Sequence, residues 1–321
     1  MSIAFIFPGQ GSQSTGMLGS IVEQNPAYGE IVTAVFDQAS EVLGFDLWDM
    51  TQNGPEAELN KTQHTQPAML AAGYAIWQIW KSKTAVMPAV MAGHSLGEYT
   101  ALVCADALNF SDAVDLVYHR GQFMQDSVAP GAGAMAAILG LEDDVVVKVC
   151  EQTAAQFEQE GQPRIISAVN FNSPGQVVIA GHSDAVDRAI VNANEAGAKK
   201  AIKLAVSVPS HCALMESAAQ QLAAKLADVE IKTPLIPVIN NVEVAVENDT
   251  QKIKQALVLQ LSHPVRWVEI ITKMLAEGTE QIVECGPGKV LTGLNRRINR
   301  RTPAYALFDT TTIDKAFEEL S

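Results

Sequence analysis

Short apolar runs alternate along the first third of the chain with longer segments whose apolar residues recur every three or four positions. The runs at 3–7 and 85–92 read as strands, and 28–42 and 66–80 read as helices. A parallel strand is covered on both faces and needs no polar alternation, whereas a helix that covers it needs only one apolar stripe. This part therefore predicts a parallel α/β arrangement. The pattern then changes. Strands are predicted at 134–139, 165–170, 176–180 and 199–206, with helices at 142–157 and 184–196 and a turn at Asn172-Ser173-Pro174-Gly175. That order, β-α-β-β-α-β, is ferredoxin-like. Alternation resumes with a helix at 211–227, a strand at 235–240, helices at 253–261 and 268–276, a strand at 281–284 and a helix at 290–301. The expected organisation is a large α/β domain built from 1–128 and 207–321, with a small domain, 129–206, inserted into it. Gly131-Ala132-Gly133 marks the entrance and the stretch 206–209 the exit. A cleft between the two is the expected site.

Composition narrows the function classes. The chain has 321 residues, 48% of them hydrophobic, enough to bury a large core. No apolar run approaches the roughly 18 residues of a membrane span, and Met1-Ser2-Ile3 has no basic region ahead of its short apolar run. A cytoplasmic protein without a membrane partner is expected. Cys104, Cys150, Cys212 and Cys285 are far apart with no C-x-x-C, so neither disulfides nor a structural zinc are expected. A net charge of −14 argues against a nucleic-acid partner.

Gly93-His94-Ser95-Leu96-Gly97 lies where the 85–92 run meets a predicted helix at 98–108. A serine between two glycines at a strand-to-helix turn has the form of a nucleophile elbow, where residues lacking Cβ relieve backbone crowding. Ser95 then sits at a helix N-terminus, with the Leu96 amide free for an oxyanion. With this elbow the large domain reads as α/β, hydrolase-like.

A nucleophilic serine needs a base, and the chain offers His64, His94, His119, His182, His211 and His263. His211 follows Val208-Pro209-Ser210 and is expected to open a helix, whose positive end favours the neutral imidazole that can accept a proton. It is the preferred base, and an ordinary helix start is the competing reading. Arg120 is the second unusual residue. On a helix predicted at 112–125 and capped by Ser111, the spacing Ala113, Val117, Arg120, Met124 turns the guanidinium inward, with no carboxylate three or four positions away. A buried arginine needs a partner; a distant acid and a ligand carboxylate both fit. Gln10 stands in a Gly-rich turn after the first strand, and Gln66 precedes Pro67; each is either a solvated amide or part of the cleft. Gly286-Pro287-Gly288-Lys289 lacks the phosphate-loop spacing, and no metal-ligand spacing occurs.

Together, Phe7-Pro8-Gly9-Gln10-Gly11-Ser12-Gln13, Thr65-Gln66-Pro67-Ala68, Gly93-His94-Ser95-Leu96-Gly97-Glu98, Arg120-Gly121 with Met124, Asn170 to Gly181, Pro209-Ser210-His211 and Gly286-Pro287-Gly288 resemble the malonyl-CoA:acyl carrier protein transacylases. The resemblance runs the whole length. It implies that Ser95 carries the acyl group, His211 is its base, and Gln10 and Leu96 supply oxyanion amides. It also implies that Arg120 holds the malonyl carboxylate and that the Gln260 backbone carbonyl orients His211. Gln66 becomes a candidate substrate-binding residue. The expected partners are malonyl-CoA and acyl carrier protein, in fatty acid biosynthesis, with no cofactor beyond the CoA thioester substrate and with a monomeric chain. A serine hydrolase or thioesterase, and a carrier-protein-binding module without activity, are the alternatives.

Overall fold

The computed structural model describes residues 2–206 and 208–320. Met1, Ser207 and Ser321, and with them the expected boundary at 207 and both chain ends, lie outside the described residues. Five strands form a parallel sheet in the order β7-β2-β1-β8-β9: β1 Ile3–Phe7, β2 Val90–Gly93, β7 Val238–Ile239, β8 Gln281–Cys285 and β9 Ala304–Leu307. Alternation along β1 explains its central place. Ile3, Phe5 and Phe7 join the core on one face, where Phe5 meets Trp77 and Trp80 edge-on, and Ala4 and Ile6 join Trp267, Ile270 and Ile271 on the other. Each large side chain buried this way contributes about 1.5–3 kcal/mol.

Four antiparallel strands form the second sheet, in the order β4-β5-β3-β6: β3 Gly133–Leu139, β4 Ile166–Ser173, β5 Gln176–His182 and β6 Lys200–Lys203. Helices Asp143–Gln159 and Ser183–Glu195 cover one face of it, which completes the ferredoxin-like order. The fold is α/β, a parallel hydrolase-like sheet with a small antiparallel sheet between β2 and β7 in sequence. β4 also pairs outside its own sheet: the Phe171 amide donates to the Val265 carbonyl (3.0 Å) and the Val265 amide to the Val169 carbonyl (2.8 Å). The antiparallel sheet is thereby tied to Val265.

Several local expectations change. The 85–92 run contributes a strand only from Val90, and the helix after the elbow, Gly97–Cys104, ends before 108. The helix carrying Arg120 is Phe110–Asp126 and is capped by Asn109, whose side chain accepts from the amides of Ser111 and Asp112; Ser111 is inside the helix, with Gln38 donating to its hydroxyl. His211 does not open a helix. A 3₁₀ turn, Ala213–Met215, comes first, and the α-helix is Glu216–Ala227. The helix expected at 290–301 stops at Ile298, leaving Arg300 and Arg301 in the connection to β9. Helices Gly19–Gln24, Leu47–Asn53, Glu56–Leu59 and Thr310–Leu320 and strand β9 were not read from the sequence. All four cysteines are free and buried. Among the described residues no helix is long and apolar enough to cross a membrane.

Candidate active site

β2 ends at Gly93, and the chain turns at Ser95 into helix Gly97–Cys104. Ser95 has φ 52°, a left-handed conformation costly for a residue with a Cβ. The turn fits only because its flanking positions are glycine. A Cβ on Gly93 would fall 1.8 Å from the Gly97 carbonyl carbon, and one on Gly97 would fall 2.0 Å from the Phe7 carbonyl oxygen. Asn241, at the carboxyl end of β7, braces the bend from the neighbouring strand: its Oδ1 accepts from the Ser95 amide and its Nδ2 donates to the Gly93 carbonyl, both at 2.7 Å.

Ser95, Leu96, Gln10, Arg120 and His211 line one pocket, which Met135 and Asn170 close from the small sheet. Among the described residues, the backbone amides of Leu96 and Gln10 donate to no protein acceptor. His211 is 3% exposed and also has a left-handed φ, 66°. Its amide donates to the Leu261 carbonyl (2.9 Å), and its Nδ1 is 2.7 Å from the Gln260 carbonyl oxygen. A carbonyl can only accept, so Nδ1 carries the proton and Nε2 keeps its lone pair. Burial first, and the Arg120 cation second, push the His211 pKa down to about 3. The dipole of a helix opened by His211 plays no part.

Arg120 is 1% exposed, and among the described residues its hydrogen bonds go to neutral oxygens. Its terminal nitrogens donate to Gln66 Oε1 (2.7 Å), Gln260 Oε1 (3.0 Å) and Ser95 Oγ (3.3 Å). Its guanidinium lies over the Tyr99 ring, 5.3 Å from the centroid, and its Nε finds no protein acceptor. Among the described residues no carboxylate forms an ion pair with it. The distant acidic partner that sequence left open is absent at hydrogen-bonding range among the described residues; Glu98 acts on Arg120 through its charge and through Gln260, whose Nε2 donates to Glu98 Oε2 at 2.7 Å. Gln66 therefore touches the arginine rather than the serine.

The remaining histidines are occupied elsewhere. His94 reaches the pocket, but its Nε2 donates to Asn172 Oδ1 on β4 (2.8 Å). The Nδ1 atoms of His64, His119 and His263 lie against the carbonyls of Glu58, Asp115 and Leu259, and His182 Nδ1 accepts from the Ile165 amide. The Gly286-Pro287-Gly288 loop is filled from within: the buried Glu284 carboxylate accepts from the Leu291 and Thr292 amides at the following helix N-terminus, where a phosphate would otherwise go. Among the described residues no group of three or more His, Cys, Asp or Glu side chains could hold a metal.

A model of the acyl transferase domain matches residues 4–304. The malonyl CoA-acyl carrier protein transacylase of Salmonella typhimurium is 52% identical over 316 residues, covering 98% of this chain and 99% of that protein. The chain belongs to the malonyl CoA-acyl carrier protein transacylase family. A more distant member, from Bacillus subtilis, is 43% identical over 99% of this chain and 97% of that one. Among solved structures, an acyl carrier protein S-malonyltransferase from Vibrio cholerae superposes with TM-score 0.93 at 53% identity, covering 98% of this chain and all of the other. A malonyl-transacylase solved in complex with a type II PKS acyl-carrier protein superposes with TM-score 0.94 at 49% identity, covering 99% of this chain and all of that one. The chain shares its overall fold with both solved structures.

Three residues of the site had no role assigned from sequence: Asn241, Glu98 and the side chain of Gln260. Two signals were available. Glu98 is the only acid among the apolar residues just after the elbow, and Asn240-Asn241 ends a buried run at the carboxyl end of a parallel strand, where sites of α/β sheets form.

Proposed function

We propose that this chain transfers the malonyl group from malonyl-CoA to the pantetheine thiol of acyl carrier protein through a malonyl-Ser95 intermediate, supplying fatty acid biosynthesis. The observation that carries this reading is the buried Arg120 guanidinium, held only by neutral oxygens, 3.3 Å from Ser95 Oγ. A buried cation with no carboxylate bonded to it, beside a nucleophile, favours an acyl group that brings its own.

Ser95 Oγ attacks the thioester carbonyl carbon and its proton passes to His211 Nε2. The oxyanion is held by the Leu96 and Gln10 amides. The carbon–sulfur bond then breaks, and the departing CoA sulfur takes the proton from His211. In the second half the carrier thiol gives its proton to His211 and attacks the malonyl-serine, and Ser95 recovers a proton as it leaves. No step calls for a metal or redox cofactor. Gln260 O, by accepting from Nδ1, keeps Nε2 the proton acceptor throughout. We assign 1–128 with 207–321 to the catalytic unit and 129–206 to the inserted one, and place carrier docking on the cationic surface near Arg296, Arg300 and Arg301.

Intact mass after brief incubation with malonyl-CoA tests the reading. A malonyl adduct on Ser95, discharged by pantetheinylated carrier protein, is expected. An adduct lost to water as fast as to carrier would make the protein a hydrolase, and no adduct would remove the intermediate.

A further inference from the structure

Among the described residues Glu98 is the one acidic side chain bonded into the residues that frame the pocket, and the mechanism above gives it no step. It is 3% exposed, on the first turn of the helix after the elbow. Its Oε2 accepts twice, from Gln260 Nε2 at 2.7 Å and from the Asn241 backbone amide at 2.9 Å. Each of those donors holds a different part of the site. Asn241 clasps both sides of the serine turn, at the Ser95 amide and the Gly93 carbonyl. Gln260 uses every polar group of its side chain: Oε1 accepts from Arg120, while Nε2 donates to Glu98 and, at 3.1 Å, to the Ser95 carbonyl. Its backbone carbonyl faces His211.

We infer that Glu98 is the positioning residue of this site, fixing the Gln260 amide and the Asn241 loop, and through them the aim of Arg120, His211 and Ser95, by where it places one acceptor oxygen. The amide of Gln260 is the pivot. Arginine has only donors, so the amide must turn its oxygen to Arg120 and its nitrogen the other way. Glu98, an acceptor on the nitrogen side, makes that the favoured orientation. Removing it leaves the amide held only by Arg120 and the Ser95 carbonyl, and leaves two buried N–H donors, one on Gln260 and the Asn241 amide, without an acceptor. Burial pushes the Glu98 carboxyl up to about 7, against the opposing pull of its hydrogen bonds and of Arg120.

Glutamine at 98 presents a carbonyl oxygen at the same reach without charge; methionine keeps the length and removes the acceptor; aspartate keeps the charge and shortens the reach. The significance of the aim rests on the acyl-serine reading, so one assay is independent of it: the labelling rate of Ser95 by a fluorophosphonate, read by intact mass on the full chain below the melting temperature of every variant. The second assay is the ratio of malonyl to acetyl adduct on Ser95. Glu98→Gln should stay within about threefold of wild type in both, whereas Glu98→Met and Glu98→Asp should label about tenfold or more slowly, the change expected for a lost hydrogen bond to a buried group. The malonyl-to-acetyl ratio should fall about tenfold in those two, which an effect on stability alone would not produce. Glu98→Asp matching wild type while Glu98→Gln is impaired would overturn the inference, because charge would then be the agent. Wild-type labelling in folded Glu98→Met would also overturn it. If Met fails to fold, the order of Gln against Asp decides. Labelling that follows the expected order without any malonyl adduct would leave Glu98 in place and remove the transfer reading instead.

Discussion

At the residue scale, three side chains that a linear sequence scatters meet in one pocket, and each can be separated by its own measurement. Ser95→Ala should abolish acylation while leaving the melting temperature close to wild type, because the hydroxyl's one hydrogen bond among the described residues is the 3.3 Å bond from Arg120; an adduct on the alanine variant would place the nucleophile elsewhere. For Arg120→Ala, we expect malonyl acylation to fall about ten- to a hundredfold more than acetyl acylation, the scale of one lost hydrogen bond to a charged group. Equal losses would make the arginine structural. The pH behaviour of His211 follows from its environment. Burial and then Arg120 lower its pKa from 6.5 to about 3, so the folded protein refuses a proton that the unfolded chain takes up. Its contribution to stability is thus fully present above pH 6.5 and is lost as pH falls toward 3. Fluorophosphonate labelling of Ser95 should keep its rate well below pH 6.5, and Arg120→Ala, which removes the second cause, should move the acid limb upward. An acid limb at 6.5 in the wild type would contradict a buried neutral base.

At the scale of elements, the elbow depends on two backbones touching where a side chain would stand. Gly97→Ala would drive a methyl to 2.0 Å from the Phe7 carbonyl oxygen and force β1 away from the serine turn. Overpacking of this kind costs about 1–3 kcal/mol. Because Gln10 follows β1, labelling of Ser95 should fall by more than the stability loss explains. Gly293→Ala, in open space inside helix Val290–Ile298, should instead raise stability by up to about 1 kcal/mol, measured by denaturant unfolding. The elements themselves were legible where burial is two-sided or periodic, as in β1 and the helices around Val32 and Trp77. What escaped was local chemistry shifted by one or a few residues. The helix starts at Phe110, so Asn109 stands at the N-cap and accepts from the Ser111 and Asp112 amides while Ser111 falls inside the first turn, and the turn at His211 delays the next helix to Glu216. The network behind the site was not legible at all: Glu98 meets Asn241 and Gln260 across 143 and 162 residues of chain, with nothing local to announce either contact.

At the scale of the whole molecule, a chain of net charge −14 must receive a carrier protein that is itself expected to be acidic, so attraction has to be local. No acid occurs between Cys285 and Phe308, where Lys289, Arg296, Arg297, Arg300 and Arg301 stand. The structure divides these five by what they already do. Arg297 donates to Gln176 on β5, so it ties helix Val290–Ile298 to the antiparallel sheet, and reversing its charge would disturb that contact as well as the surface. Arg296, Arg300 and Arg301 are exposed, form no ion pair among the described residues, and line a shallow depression with Thr302 and Pro303. They are the cleaner test. A triple change to glutamate at these positions should raise the apparent KM for carrier protein roughly tenfold at low ionic strength and flatten its dependence on salt, since screening acts on exposed charges beyond about 10 Å. The Ser95 acylation rate from malonyl-CoA should stay near wild type, which separates docking from damage to the pocket. Carrier kinetics unchanged by the triple variant at low salt would rule the patch out. Lys199 and Lys200 would then be the next surface to reverse, ahead of Lys203, which Asp187 already holds at 2.8 Å.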